Sequence, residues 1–272
     1  MRIALAQIYC PWGEIDASLR RHHGHIRDAA RHGAELVAFP ETSVPGMYKN
    51  HLIRLCAEPL DGPTVERMSA WARRYGIAVA FGIAEKTAGK PYNTYVLVDR
   101  TGSLVGAYRK NYVTNLELEY FRRDTRRPVF ELHGYRVAVS ICADHCAPEL
   151  ASSYGRRGAQ LVLFPHAWDA DPVLKNGRIA GWKNEQDMVD HYDRGLVARY
   201  RNHNEMLAYF RPRISALAEE NGFHGVFVNQ TGTPHPLIPF VGPAFAVNPR
   251  GQLLAATRGK GETLLITECD LE

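Results

Sequence analysis

The chain has no apolar run long enough to cross a lipid bilayer. A membrane-spanning helix needs roughly 18 or more consecutive apolar residues, and no window of the 272-residue sequence approaches that length. The sequence also has no charged-then-apolar leader, because a strand-like segment begins within its first few residues. We therefore expect a cytoplasmic protein with no membrane partner.

Cysteine is scarce as well, with five residues scattered along the chain. An odd number of scattered cysteines in a chain of this size argues against a disulfide scaffold and predicts free thiols in a reducing compartment. A metal centre is not indicated either. Only His22 and His25 of the histidine cluster fall near one predicted helix face, and no cysteine or carboxylate joins them at ligand spacing.

A large excess of one charge sign is absent too. The 33 basic and 29 acidic residues leave a net charge of +4 and are mixed along the chain. This mixture argues against a nucleic-acid-binding protein. The most basic stretch, 122–127, predicts a solvated face or a rim that binds carboxylates.

What the sequence does contain is an alternation of apolar strand-like segments and amphipathic helical segments. Helices are predicted at 16–32, 63–75, 148–157 and 212–221, each followed closely by a glycine. Strands are predicted at 2–8, 36–39, 77–83, 94–99, 129–132, 136–141, 161–164, 225–229, 244–247 and 263–267.

This alternation predicts the α/β class. Short turns at 99–102 and 248–251 connect other strands directly, which suits two sheets packed face to face with helices outside. The periodicity alone also fits a single open sheet. With no low-complexity segment, short repeat or linker, we expect one domain over 1–272. The polar, weakly periodic stretch 169–204 predicts an insertion beside the pocket, either a lid or a surface excursion.

Three predicted strands end in polar residues that suit catalysis. Cys142 follows the apolar segment 136–141 and precedes a Pro-Glu helix start, Glu41 follows Phe39-Pro40, and Lys110 follows Tyr108-Arg109. A thiol at a strand end is more often a small buried side chain than a nucleophile. A carboxylate and an amine delivered in the same way nevertheless make it a candidate nucleophile, with N–H groups after it facing the charge that attack creates.

These motifs resemble those of the nitrilase (carbon–nitrogen hydrolase) superfamily, and they occur in its order over nearly the whole chain. The matching pieces are Ile3-Ala4-Leu5-Ala6-Gln7, Glu35-Leu36-Val37-Ala38-Phe39-Pro40-Glu41, Tyr92-Asn93-Thr94, Tyr108-Arg109-Lys110, Cys142-Ala143-Asp144, Pro148-Glu149, Gly158-Ala159-Gln160-Leu161-Val162-Leu163-Phe164-Pro165, Glu220-Asn221, Val228-Asn229-Gln230-Thr231-Gly232 and Asn248-Pro249-Arg250-Gly251.

The resemblance implies a four-layer αββα sandwich, a Glu41-Lys110-Cys142 triad, and a homodimer or larger homo-oligomer. Glu41 would be the general base, Lys110 and backbone N–H groups near Ala143 would stabilise the oxyanion, and Cys142 would be the nucleophile. Such a reaction requires no metal or organic cofactor.

The resemblance also implies supporting residues. A second glutamate, which orients the lysine and the substrate, falls on Glu117 because it precedes Phe121 by four positions; Glu119 is the rival. His166 and Trp168 end the strand that would flank the nucleophile and are candidates for the pocket wall. Trp168 fits core packing equally well.

Substrate preference follows from the residues after the nucleophile. Ala143-Asp144 is similar to the amidase and carbamoylase branches rather than to true nitrilases, which usually carry Trp-Glu there. His145 and Cys146 stand where many carbamoylases carry arginine to hold a substrate carboxylate. Arg211, Arg213 or an arginine in the insertion at 169–204 are the candidates to replace it, and nothing in the sequence selects one.

We therefore expect a hydrolase of linear amides or N-carbamoyl compounds. Nitrile hydrolysis, a catalytically silent binding protein and a redox-responsive Cys142–Cys146 pair remain as alternatives.

Overall fold

The computed structural model describes residues 1–47, 51–115, 117–169, 202–235 and 238–272. Most of the predicted insertion at 169–204 lies outside these residues. Among the helices described, none combines the length and apolar character that crossing a membrane demands.

The first sheet has six strands in the order β14-β1-β2-β3-β4-β5. The central β1, β2 and β3 are parallel, while β14, β4 and β5 add antiparallel edges. The strands are β1 Arg2–Gln7, β2 Leu36–Ala38, β3 Ala78–Glu85, β4 Tyr92–Val98, β5 Leu104–Arg109 and β14 Thr263–Glu268.

The second sheet repeats this plan in the order β13-β12-β9-β8-β7-β6. Its central β7, β8 and β9 are parallel and its outer strands are antiparallel. The strands are β6 Phe130–Leu132, β7 Tyr135–Val139, β8 Leu161–His166, β9 His224–Asn229, β12 Ala244–Val247 and β13 Leu253–Ala256. A separate hairpin pairs β10 Thr231–His235 with β11 Ile238–Val241.

In the described part of the chain, four helices cover the outer faces of the two sheets. They are α1 Ile15–Arg31, α2 Pro63–Tyr75, α3 Pro148–Arg156 and α4 His203–Asn221, with short 3₁₀ helices at His51–Cys56, Glu117–Glu119 and Cys142–Cys146. Helices α1 and α2 bury residues such as Ile26 and Met68 against the first sheet. Helices α3 and α4 bury Leu150 and Phe210 against the second.

The central core lies between the sheets. Leu5 and Tyr95 of the first sheet pack there against side chains such as Val139 and Leu163 of the second. Because successive strand residues face opposite sides, each sheet buries one face in this core and the other under its helices. The expected αββα sandwich is therefore confirmed.

The details correct several predicted bounds. Helix α2 matches the prediction, but α4 begins at His203 rather than at residue 212, so Pro212 lies inside the helix. A proline at a helix start is common, which is why the sequence favoured the later start. Strand β13 and the β10–β11 hairpin were not predicted. Of β5, the sequence indicated only the last two residues, Tyr108 and Arg109.

Candidate active site

Three strand ends meet at one edge of the sandwich. Glu41 lies three residues after β2, Lys110 directly follows β5, and Cys142 lies three residues after β7. The first two belong to one sheet and the third to the other, so the facing sheets bring them together. All three side chains are buried, with exposed fractions of 0%, 1% and 7% respectively.

The Glu41 carboxylate is the centre of this cluster. Its Oε1 accepts hydrogen bonds from Lys110 Nζ at 2.8 Å and Asn93 Nδ2 at 2.7 Å. Its Oε2 accepts from the backbone N–H of Ala167 at 2.8 Å. The Glu41 backbone carbonyl in turn accepts from Gln230 Nε2 at 2.8 Å. Four hydrogen bonds therefore define the position of this buried glutamate, three on its carboxylate and one on its backbone carbonyl.

Close backbone packing brings the Glu41 segment to this position. Gly82 of β3 lies so close that an added Cβ would sit 2.2 Å from the backbone nitrogen of Thr42 and 2.9 Å from the carbonyl carbon of Glu41. Thr42 itself has a positive φ of 43°. Only glycine at position 82 permits this approach of strand and turn.

Lys110 joins two carboxylates. Besides Glu41, its Nζ donates to Glu117 Oε1 at 2.7 Å, while Glu117 Oε2 accepts from Thr114 N–H at 3.0 Å. Burial alone would lower the pKa of Lys110, but the charges of Glu117 and Glu41 outweigh it and hold that pKa well above its ordinary value. Conversely, burial would raise the pKa of Glu117, and Lys110 overcomes this and lowers it. The lysine is therefore a cation between two anions.

The two rival glutamates lie in different environments. Glu117 is buried and contacts Lys110, whereas Glu119 is exposed. The structure thus brings Glu117 into the cluster and leaves Glu119 outside it.

Cys142 opens the 3₁₀ helix with a positive φ of 47°, a conformation uncommon for a residue with a side chain. Burial and the nearby Glu41 raise the pKa of its thiol well above the usual range, despite the opposing charge of Lys110. In the resting structure this thiol is therefore neutral rather than a free thiolate.

Asp144 connects the nucleophile turn to the segment after Lys110, a role that the sequence did not reveal. Its Oδ2 accepts from Tyr108 OH at 2.7 Å and from Ile141 N–H at 2.9 Å. Its Oδ1 accepts from the N–H groups of Asn111 at 3.2 Å and Tyr112 at 2.7 Å. Burial outweighs these hydrogen bonds and raises the pKa of Asp144 to about 6.

A second hydrogen-bonded chain runs behind Cys142. His145 Nδ1 lies 2.5 Å from the Cys142 carbonyl oxygen and 3.3 Å from His166 Nε2, and His166 Nδ1 lies 3.0 Å from the Phe164 carbonyl oxygen. Because carbonyl oxygens only accept, both rings carry their proton on Nδ1. Burial lowers the pKa of both histidines, so both rings are neutral.

The remaining predicted site residues divide between this chain and its surroundings. His166 is fully buried and contacts His145 rather than open space. Trp168 is partly buried against the Phe210 and Tyr209 rings, at centroid distances of 5.4 and 6.3 Å. Ala143 is partly exposed in the turn after the nucleophile.

Cys146 and the two candidate arginines, Arg211 and Arg213, lie nearer the surface. Cys146 is an exposed free thiol whose Sγ lies 3.5 Å from His145 Nε2. Arg211 and Arg213 are exposed, and the Arg213 guanidinium lies over the Tyr209 ring at 3.8 Å.

A cavity of about 430 Å³ lies apart from this cluster, beside the basic stretch. Its lining consists of Ala107, Arg109, Asp124, Arg126, Arg127, Pro128 and Arg157. Asp124 pairs with Arg126 at 2.7 Å and with Arg109 at 3.7 Å, and Arg109 also pairs with Glu85. This lining contains no nucleophile, so the chemistry belongs to the buried cluster at the strand ends.

Within the described ranges, no three histidine, cysteine or acidic side chains come together as metal ligands. The buried cluster holds a thiol, a carboxylate whose charge acts on that thiol, and a cation that donates to the carboxylate. Such a set can transfer an acyl group through a covalent intermediate.

Several known proteins are similar to this chain in sequence and in fold. The chain is 29% identical, over its full length and 86% of the relative, to an (R)-stereoselective amidase from Pseudomonas sp. It is 25% identical, over 99% of its length and 86% of the relative, to an N-carbamoylputrescine amidase from Solanum tuberosum.

Among solved structures, an amidase from Nesterenkonia sp. is 25% identical, with a TM-score of 0.77 over 98% of this chain and 89% of that one. A mutant of the Nesterenkonia sp. AN1 amidase carries the product of Michael addition of acrylamide at its active-site cysteine. Residues 2–272 match the carbon-nitrogen hydrolase family. The chain therefore belongs to the carbon-nitrogen hydrolase family and is a hydrolase of carbon–nitrogen bonds other than peptide bonds.

Proposed function

We propose that this enzyme hydrolyses a linear amide or an N-carbamoyl compound through a thioester on Cys142. The observation that carries the proposal is the burial of three groups at the strand ends: the Cys142 thiol, the Glu41 carboxylate, and Lys110, whose Nζ donates to that carboxylate at 2.8 Å. The amidases and the N-carbamoylputrescine amidase among the relatives support this substrate class, with linear amides mildly preferred.

Acylation begins with a proton transfer. Glu41 takes the thiol proton as Sγ attacks the amide carbon, and the new S–C bond leaves a tetrahedral oxyanion. Lys110 Nζ and backbone N–H groups near Ala143 would stabilise this oxyanion. Glu41 then gives its proton to the departing nitrogen, the C–N bond breaks, and ammonia or an amine leaves.

Deacylation repeats the steps with water. Glu41 accepts a proton from the water that attacks the thioester, and the C–S bond breaks. The sulfur recovers the proton from Glu41 as the acid is released. Because Lys110 stays paired with Glu117 at 2.7 Å throughout, its charge is available in both halves of the reaction without moving.

Ammonia release from panels of amides, N-carbamoyl compounds and nitriles tests this proposal. Wild type should release ammonia from an amide or N-carbamoyl compound, Cys142→Ala should release none, and Cys146→Ala should retain turnover. Release only from nitriles would point to nitrile hydrolysis. Silence of the wild type on every panel would favour a binding protein of the same fold, and turnover by Cys142→Ala would refute the mechanism.

Two further proposals concern the oligomeric state and the location of the protein. We expect a homodimer or larger homo-oligomer, which sedimentation analysis can measure. We also expect a cytoplasmic location, which cell fractionation can test.

A further inference from the structure

Asn93 contacts the same carboxylate oxygen as Lys110. Its Nδ2 donates to Glu41 Oε1 at 2.7 Å, and Lys110 Nζ donates to that oxygen at 2.8 Å. A carboxylate oxygen offers about two acceptor sites, so Oε1 is fully used. Among the residues that the structure describes, Oε2 holds one donor, the N–H of Ala167 at 2.8 Å. The remaining acceptor site of Glu41 is therefore on Oε2.

Cys142 must use that remaining site. In the proposed mechanism the thiol proton moves to Glu41, and Oε1 has no acceptor capacity left for it. We propose that Asn93 is a positioning residue that holds Glu41 Oε1 together with Lys110, and so reserves Oε2 as the oxygen that exchanges the proton with Cys142. This inference rests on the proposed function of the triad.

The backbone of Asn93 strengthens this assignment. Its carbonyl oxygen accepts the Lys110 N–H at 2.9 Å, at the point where β4 and β5 end their pairing. One residue therefore fixes the backbone of the lysine and the side chain of the glutamate. A change in its amide group alters the second contact while leaving the first in place.

The orientation of the Asn93 amide is the third observation. Asn93 is 1% exposed, and its Oδ1 has no hydrogen-bond partner within the structure as described. A buried acceptor without a partner is unfavourable. Turning the amide over would place Oδ1 against Glu41 Oε1, two acceptors in contact, so the charge of Glu41 selects the observed orientation. The unpaired oxygen is thus a consequence of presenting an N–H to the base.

Asparagine suits this position because its amide donates without carrying a charge. It does not compete for the thiol proton, as a second titratable group would. An aspartate of the same shape would place a second carboxylate beside Glu41, and two adjacent carboxylates do not ionise independently. Ionised Glu41 would then form only at higher pH.

Alkylation of Cys142 by iodoacetamide tests this proposal without a known substrate. The rate is followed by peptide mapping from pH 5 to 9 in wild type, Asn93→Asp and Asn93→Ala, each in a Cys146→Ser background. Matched controls are made at Asn111, whose amide donates to the backbone carbonyls of Arg109 and Arg126 rather than to Glu41.

We expect Asn93→Asp to shift the acidic limb of the alkylation profile upward by about one pH unit or more. Asn93→Ala should slow alkylation at neutral pH by roughly tenfold. Asn111→Asp should leave the profile where it is in wild type.

Circular dichroism and thermal unfolding establish that each variant is folded. An unshifted Asn93→Asp profile in folded protein, or equal shifts for Asn93→Asp and Asn111→Asp, would overturn the inference. Should Asn93→Asp fail to fold, a wild-type alkylation rate in Asn93→Ala would overturn it instead. Failure of the proposed function is a separate result, namely a wild type that never forms an acyl adduct with any amide or N-carbamoyl compound.

Discussion

Asp144→Asn is expected to change the pH dependence of stability and to lower turnover. The substitution keeps the size of the side chain but replaces one acceptor oxygen by an NH₂ group. The best orientation keeps the oxygen on Asn111 and Tyr112 and lets the new NH₂ donate to the Tyr108 hydroxyl. The N–H of Ile141 then loses its acceptor, which costs about 1–3 kcal/mol.

The charge of Asp144 acts in the opposite direction. Its pKa is raised from 3.8 to about 6 by burial, and a shift of about two units corresponds to about 3 kcal/mol. A raised folded-state pKa means that the folded protein binds the proton more tightly. This contribution to stability is present in full below pH 3.8 and is lost as the pH rises through 6. Asparagine does not titrate and lacks this dependence.

Two results follow from these magnitudes. The stability of wild type relative to Asp144→Asn should fall by about 2 kcal/mol between pH 4 and 7.5. Near pH 7.5 the lost acceptor and the relieved buried charge are similar in size, so the free energies of unfolding should be close. Turnover should still fall, because Asp144 joins the Cys142 turn to the segment after Lys110.

Urea unfolding of both proteins from pH 4 to 7.5, followed by fluorescence, measures this difference, and ammonia release measures turnover. Subtracting the two proteins removes the titration of groups that they share. A stability difference that does not change with pH would refute the reasoning about the buried charge. Full activity in the variant would refute the positioning role.

Three further predictions concern the buried cluster. Lys110→Met should lower the free energy of unfolding by about 3–5 kcal/mol in urea titrations, because it leaves two buried carboxylates without a cation. Adding Glu117→Gln should recover part of that loss without restoring turnover. An unchanged stability in Lys110→Met would contradict the ion-pair account. Glu117→Gln should reduce kcat by at least about tenfold through the loss of a charged partner of Lys110, whereas Glu119→Gln should have the kcat of wild type. The reverse pattern would make Glu119 the second glutamate. Gly82→Ala should lower the free energy of unfolding by about 1–3 kcal/mol and impair turnover by displacing the Glu41 segment. In the control Gly89→Ala nothing lies within 4 Å of the added carbon, so its free energy of unfolding should stay within about 0.5 kcal/mol of wild type. Equal shifts of the unfolding temperature in the two variants would count against the close approach at Gly82.

The α/β class could be predicted because the central strands and the helices have strong periodic patterns. The sandwich was implied by the resemblance to the family, since periodicity alone also fits a single open sheet. The missed elements lack such patterns. Strand β13 lies at a sheet edge, and its Leu253 and Leu254 are 41% and 40% exposed, so its residues do not show a buried face. Helix α4 starts within a polar stretch, and its first turns bury His203, Met206 and Phe210. The sequence favoured a start at Pro212 because proline is common in a first helical turn.

The candidate site could be predicted only as far as its strand ends. Glu41, Lys110 and Cys142 follow apolar strands, and the resemblance to the family motifs identified the three together as a candidate triad. The partners that fix them depend on tertiary contacts that no local pattern records. Asp144 accepts from two backbone N–H groups more than 30 positions earlier in the chain, and the local sequence shows only an acidic residue in the turn after Cys142.

The central claim is a covalent acyl group on Cys142 during turnover. Intact-protein mass spectrometry of wild type and Cys142→Ala, quenched during turnover of an amide or N-carbamoyl compound that releases ammonia, tests it directly. The account predicts a transient mass increase equal to the acyl group on wild type alone, mapped to the peptide that contains Cys142. Ammonia release with no adduct in rapid-quench samples, or an adduct of the same mass on Cys142→Ala, would contradict it.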